Sequence, residues 1–398
     1  MHAPAAPATS AAPGAAPGAA PGAAPSRHIY PALDGLRGVA VLVVMLHNLT
    51  ILEQRDSLPA RLWVFATDSG WIGVLLFFVL SGFLITGILL DERGAPRFFR
   101  DFYLRRVLRI FPLYYLVLIV RFAVMPWLVP GAGVPLEVAL GYWLYVSNWT
   151  ELYLQGVNGF GHFWSLAVEE QFYLAWPLAV ARLGARGLIW VCAALIALSA
   201  AARLVIVVCS LDRRWLYLST VTRADALAFG ALVAIALRDP RGRAWLARHY
   251  RAIGGVAAAV VAGILIDAHS LSRYQIFVET VGYSALAIAF SAVIAHVALD
   301  DTNTRPRWAM SRLLRAAGKY SYAAYVFHPL VKVSVLHAAR PALVAHGALT
   351  IWYVDAAFVV GCGAAAFALA RLSYAVLEGP LLRRKERWAP RSVGSRPA

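Results

Sequence analysis

Glu169 and Glu170 stand side by side in the otherwise apolar run His162-Phe163-Trp164-Ser165-Leu166-Ala167-Val168-Glu169-Glu170-Gln171-Phe172-Tyr173. A carboxylate in hydrocarbon is expensive, so such groups face a polar interior and mark function more often than structure. On a helix, His162, Ser165, Glu169 and Tyr173 share one face, and Phe163, Leu166, Glu170 and Leu174 share the next. The first face is polar along its length, which makes Glu169 the first choice to line an interior. A second apolar stretch, from Leu33 to Asn48, holds Asp34, Arg37 and His47. Asp34 and Arg37 are three apart and can pair on one helix face. His47 lies about 15 Å further along the axis than Arg37, well inside the span.

Other constellations are weaker. Arg106 and Arg109 are three apart on a predicted helix and can aim at one anion, since the planar guanidinium fork suits phosphate. A charge cluster set by topology alone needs no such spacing. Arg223 and Asp225 again put charges inside an apolar span and read as a structural or orienting pair. Ser321, Tyr325 and His328 fall on roughly one face of a further helix, and Glu378-Gly379-Pro380 reads as a helix stop. Gly73, Ser81 and Gly82 are small residues spaced to let neighbouring helices approach closely.

These residues need helices that cross a membrane. The chain has 398 residues, 60% hydrophobic and 15% charged. A soluble domain is about 45–50% apolar and about 25% charged. The expected fold is therefore all-α, a polytopic membrane bundle. The net charge of +16 does not indicate nucleic acid, because the arginines cluster between apolar spans. Cys192, Cys209 and Cys362 sit in or beside such spans, with no CxxC and no histidine at metal spacing, so neither a disulfide framework nor a metal is expected.

The predicted spans are 35–52, 71–90, 106–128, 162–181, 187–208, 223–237, 252–268, 274–298, 318–339 and 348–377. The stretch 136–150, with Tyr142, Trp143, Tyr145 and Trp149, is ambiguous. If it does not cross, there are about ten transmembrane helices with both termini cytoplasmic. The basic clusters at 93–109, 182–186, 238–251, 305–319 and 383–387 then all face the cytoplasm. If it crosses, two of them face outward, so charge favours the outer, non-crossing alternative. Residues 1–28 are Ala/Pro/Gly repeats without a signal-peptide pattern, expected to be a disordered cytoplasmic tail. Residues 29–382 form the membrane domain and 383–398 a basic cytoplasmic tail. No appended soluble domain is expected.

Several of these motifs occur in an order that resembles the acyltransferase-3 family. They are Leu33-Asp34-Gly35-Leu36-Arg37-Gly38 with His47, the run Phe77 to Ile85, Arg106-x-x-Arg109, His162-x-Trp164-Ser165-Leu166-x-x-Glu169-Glu170-Gln171-Phe172-Tyr173, Arg223-x-Asp225, Tyr322-x-x-Tyr325-x-x-His328-Pro329 and Glu378-x-Pro380. The resemblance covers about residues 29–382. The interval from Arg37 to His47 is one residue shorter than the family pattern. It implies a bacterial O-acyltransferase of the cytoplasmic (inner) membrane, with ten core helices and a cytoplasmic acyl-CoA donor, usually acetyl-CoA. The implied acceptor is a sugar-containing molecule such as a surface polysaccharide. Arg37, His47, Arg106 and Arg109 correspond by motif position to residues used for catalysis and donor handling. The expected scheme has Arg106 and Arg109 hold the phosphates of acyl-CoA and His47 act as general base, with Glu169 orienting the imidazole. Arg37 stabilises negative charge. Direct transfer and an acyl-histidine relay both remain open. A transporter or flippase with a polar pathway is the alternative, although no internal repeat relates 33–180 to 200–380. Acceptor identity, acyl length and oligomeric state are not legible.

Overall fold

A computed structural model describes residues 30–388 apart from 54–55, 155, 269–270 and 301–305. The Ala/Pro/Gly stretch 1–28, residues 389–398 of the basic tail, Arg55 and Arg305 lie outside the described residues. Among the described residues there are helices and no strands. Each of the ten predicted apolar stretches is helical: α1 Pro31–Leu49, α2 Ile72–Asp91, α3 Phe98–Ile119, α4 Phe163–Arg182, α5 Ala185–Val208, α6 Thr220–Ala236, α7 Pro240–Ala268, α8 Tyr283–Ala298, α9 Ser321–Ala345 and α10 Trp352–Ser373. All but α4 and α9 are long and apolar enough to cross a membrane by composition alone. The two exceptions, of 20 and 25 residues, carry the polar faces noted above.

The ambiguous stretch resolves into two short helices, Leu136–Trp143 and Ser147–Tyr153. At 8 and 7 residues they are too short for a hydrocarbon core about 30 Å thick. They fold into the bundle instead. Gln171 Nε2 on α4 donates to Tyr145 O at 2.9 Å and to Asn148 Oδ1 at 3.0 Å, and Thr220 Oγ1 donates to Gln171 Oε1 at 2.5 Å. Non-helical backbone at this depth is tolerated because protein groups satisfy it.

The centre of the bundle is α2, which packs on α1, α4, α6 and α8. Of its apolar window 72% is buried, against 6% for α7, so α2 is the core and α7 the lipid-facing perimeter. Glycine makes the closest contact possible. A Cβ at Gly82 would lie 1.9 Å from Leu227 O, and one at Gly230 would lie 2.0 Å from Val79 O. The α2–α6 interface is thus backbone against backbone.

One expectation fails. Glu378-Gly379-Pro380 does not stop the last helix. The chain widens into a π-turn over Tyr374–Glu378 and runs on as the helix Gly379–Trp388, which packs on α3. Pro380, which lacks the N–H that would continue the ladder, follows closely on this π-turn, where the regular hydrogen bonding is already interrupted.

The predicted basic clusters gather at one end of the bundle. Arg238, after α6, donates to Asp91 at the end of α2 at 2.8 Å. The helix Arg312–Lys319 packs on the first half of α1, where a Cβ on Gly38 would lie 2.0 Å from Leu314 O. Arg105, buried, pairs with buried Glu92.

Candidate active site

Five helices, α1, α2, α3, α4 and α9, bring predicted residues together along one polar path. At the basic end, Arg37 Nη2 donates to Ser321 Oγ at 3.2 Å, and Nη1 lies 4.0 Å from half-exposed Asp34. The predicted pairing of Asp34 with Arg37 is therefore present at the limit of an ion pair. Ser81 Oγ on α2 donates to Glu169 Oε1 at 2.6 Å and accepts from Tyr173 OH at 2.9 Å. Arg37 and Arg106 both lie within electrostatic range of Glu169, and Arg106 also of Glu170.

Arg106 sits with its guanidinium 5.1 Å from the centre of the Tyr173 ring, a cation–π contact. Neither Arg106 nor Arg109 makes a hydrogen bond or ion pair among the described residues. Arg105 beside them is consumed by Glu92. The basic run therefore separates into one structural arginine and two half-buried ones with free donors. That donor set fits a phosphorylated ligand.

Midway, Ser165 Oγ and Tyr325 OH share a hydrogen bond of 2.6 Å, and His162 O, 3.0 and 3.2 Å away, accepts from whichever hydroxyl does not donate to the other. Towards the other end, His328 Nδ1 donates to Tyr325 O at 2.8 Å and its Nε2 accepts from Asn48 Nδ2 at 3.1 Å. Ser321, Tyr325 and His328 do share one face, and each meets α1 or α4.

His47 lies at this second end. Its Nδ1 is 2.9 Å from Thr67 O. A carbonyl only accepts, so Nδ1 carries the proton and Nε2 keeps its lone pair. Here the expected scheme needs correction. Glu169 does not orient His47; its carboxylate is held by Ser81, a helix away. The separation of ten positions puts Arg37 and His47 about 15 Å apart along α1, so a side chain at the depth of Glu169 cannot serve both. The orienting group is a backbone carbonyl from the helix Leu58–Asp68, which packs on α1. A Cβ on Gly70 would lie 2.7 Å from His47 Cβ, so the ring is seated against a glycine.

A second correction concerns Arg223 and Asp225. Asp225 pairs with Arg203 on α5 at 2.9 Å and accepts from Ser284 Oγ at 2.6 Å. Arg223 and Asp225, two apart on a helix, point in directions about 160° apart around its axis and do not face each other. Arg223 is fully buried among rings instead. Its guanidinium lies 4.0 Å from the centre of Tyr283, 4.9 Å from Tyr217, 5.7 Å from Trp164 and 6.0 Å from Trp71.

Residues that sequence reasoning passed over hold the end of α1. Asp355 accepts from Thr50 Oγ1, Ile51 N and Trp63 Nε1 at 2.5, 2.6 and 2.6 Å. Lys332 Nζ donates to Asn48 O and Thr50 O at 2.8 Å each, closing the C-terminal carbonyls of α1. The signal was present: Lys332, Asp355 and Arg203 are charges inside apolar spans, as Glu169 is. Thr67 gives no such signal, because a backbone carbonyl has no residue type.

Comparison with known proteins gives a consistent picture. Residues 30–371 match the acyltransferase domain family. The chain is 30% identical over 382 residues to the peptidoglycan O-acetyltransferase OatA of Listeria monocytogenes, covering 89% of this chain and 56% of that protein. It is 29% identical over 385 residues to the putative peptidoglycan O-acetyltransferase YrhL of Bacillus subtilis, covering 88% and 54%. It is 27% identical over 318 residues to the O-acetyltransferase OatA of Staphylococcus aureus, covering 75% and 50%. The chain thus spans about half the length of the curated relatives it matches. No solved structure matches it.

Proposed function

This chain belongs to the acyltransferase-3 family, and from that premise we propose that it is a membrane O-acetyltransferase moving an acetyl group from acetyl-CoA to a hydroxyl of a sugar-containing acceptor. The observation that carries the reading is the two-ended path. Arg106 and Arg109 on α3, with free donors, lie at the basic end with Arg37 of α1, and His47, with a fixed tautomer, lies about 15 Å further along α1 than Arg37. The positive-inside rule makes the basic end cytoplasmic, which is where acyl-CoA is made available. Arg106 and Arg109 take the phosphates of the donor. The pantetheine arm follows the path lined by Ser81, Tyr173, Ser165 and Tyr325. Glu169 and Glu170 set the field between Arg37 and Arg106 at the donor end.

At the other end His47 Nε2 takes the proton of an acceptor hydroxyl. The oxygen attacks the thioester carbonyl, the C–S bond breaks, and the imidazolium returns its proton to the departing CoA thiolate. Arg37, on the same helix, draws the anionic donor along the path rather than touching the reacting carbonyl. The relatives' names speak for peptidoglycan as the acceptor class, and the mechanism needs only a saccharide hydroxyl.

The test is transfer of labelled acetyl from acetyl-CoA to cell-wall glycan fragments by the protein in reconstituted vesicles. His47→Gln is expected to insert and bind CoA normally while transfer drops by at least about 10²-fold, the lower end for loss of a general base. Full transfer by folded His47→Gln removes the histidine from the chemistry. Movement of acetyl-CoA or glycan across the vesicle with no acetyl ester formed replaces the enzyme reading with a transporter.

A further inference from the structure

The second end of the path opens into a cavity that the reaction above leaves unassigned. It has a volume of about 430 Å³ and is lined by Asn48, Asn158, His162, Lys332, His337 and Arg340 among others. Three elements build it: the end of α1, the loop before α4, and the second half of α9. Asn48 follows His47 directly, so the cavity begins at the turn of α1 that carries the proposed base.

Its chemistry is one-sided. Lys332 spends its hydrogen bonds on two main-chain carbonyls, which leaves its positive charge without a carboxylate bonded to it. His337 and Arg340 are exposed and make no hydrogen bond or ion pair among the described residues. No carboxylate is among the lining residues. Asp355, which accepts from Thr50, Ile51 and Trp63 outside the cavity, offsets the charge of Lys332, so the uncompensated cation of the lining is Arg340; Glu151, close to Gly161, accepts from Tyr142 OH at 2.7 Å. A buried polar atom also lacks a partner. His162 is 9% exposed, its Nε2 faces Val326 O at 3.3 Å, and its Nδ1 has none. With the proton on Nε2, Nδ1 is an unpaired acceptor just beneath the cavity wall.

We infer that this cavity is the acceptor subsite and that it takes an anionic, carboxylate-bearing saccharide. The volume lies within the range of small-molecule sites, about 300–1,000 Å³. The side-chain amides of Asn48 and Asn158 suit sugar hydroxyls. Arg340 and His337 at the mouth meet the carboxylate. This inference rests on the acetyltransferase reading, and it names the acceptor class for that same site.

The probes are tetragalacturonate and a neutral tetrasaccharide of galactose, offered to the full chain in lipid nanodiscs. Binding is measured by calorimetry at low and physiological salt, and transfer by labelled acetyl-CoA. The expected result is at least tenfold tighter binding of the acidic sugar, weakening as salt rises. In Arg340→Glu the ratio of kcat/KM for acidic over neutral sugar is expected to fall at least tenfold, and Arg340→Lys to keep most of it. Equal binding of the two sugars, no binding of tetragalacturonate, or an unchanged ratio in Arg340→Glu overturns the inference. The two readings fail separately. Salt-sensitive, Arg340-dependent binding of tetragalacturonate without any acetyl transfer keeps the cavity and removes the enzyme. Acetyl transfer with no preference between the sugars keeps the enzyme and removes the anionic subsite.

Discussion

At the scale of single residues, the arginines of this chain divide by what surrounds them. Arg105 and Arg203 are buried and paired with carboxylates, so each fixes a helix contact. Arg106 and Arg109 keep their donors free, and removal of either is expected to weaken acyl-CoA binding by about 1.5–3 kcal/mol, the range of a hydrogen bond to a charged group. Lysine at either position should rescue in part, because it offers a point charge rather than a fork. Calorimetric titration of CoA decides it, and an unchanged affinity in the double alanine variant reduces the pair to a topology signal. Arg223 is a third kind, an arginine among four aromatic rings whose three nitrogens have no hydrogen-bond partner. Its delocalised, weakly hydrated cation suits ring faces, whereas an ammonium is strongly hydrated and needs donors satisfied. Arg223→Lys should therefore lower the unfolding temperature in detergent more than Arg223→Met does. The reverse order would show that the charge itself is what the cage is built to hold.

At the scale of elements, the polar path depends on how closely α2 approaches its neighbours. Ser81 and Gly82 are adjacent: one holds Glu169, the other touches the backbone of α6. A side chain at Gly82 must displace Leu227 O and with it the register of α2 against α6. Gly82→Leu is expected to destabilise by at least the 1–3 kcal/mol or so typical of overpacking, read as a lower unfolding temperature. It should reduce transfer together with stability, in contrast to His47→Gln, which leaves stability alone. A Gly82→Leu protein as stable as the parent would mean that the two helices can separate without cost. Another element-level device is the segment between α3 and α4. Tyr145 there adopts a positive φ of 55° and stacks on Tyr114 at 4.1 Å, while its carbonyl accepts from Gln171. That conformation is rare for a bulky residue and is held by its surroundings.

At the scale of the whole molecule, the basic ends of α2, α3 and α6 and the helix Arg312–Lys319 lie together, and the 430 Å³ cavity lies at the opposite end. The expected orientation puts the first end in the cytoplasm. In a background lacking the exposed Cys209, Arg243→Cys should resist a membrane-impermeant thiol reagent in intact spheroplasts. Glu137→Cys, in the short helix Leu136–Trp143, should be labelled from outside. Labelling of position 243 and protection of position 137 would invert the molecule and place the donor arginines on the wrong side of the membrane.

The amino-acid sequence by itself determined the helices and the set of polar residues inside them. Apolar runs of this length have one stable form in a bilayer, and a charge within such a run must face inward, so Arg37, His47, Glu169, Glu170, Arg106 and Arg109 were legible from residue type and spacing. Arginine counting across loops favoured a non-crossing 136–150, and the structure adds that the segment is two short helices. Only the tertiary structure decided who meets whom. Asp225 reaches Arg203 across α5 and α6 rather than Arg223 two residues away, and Glu169 reaches Ser81 rather than His47. Those partners lie on other helices, and their approach is set by small residues such as Gly82 and Gly230, which leave no charge pattern to read. The group that fixes the tautomer of His47 is the main-chain oxygen of Thr67, and a carbonyl that every residue carries becomes an orienting group only when the fold aims it.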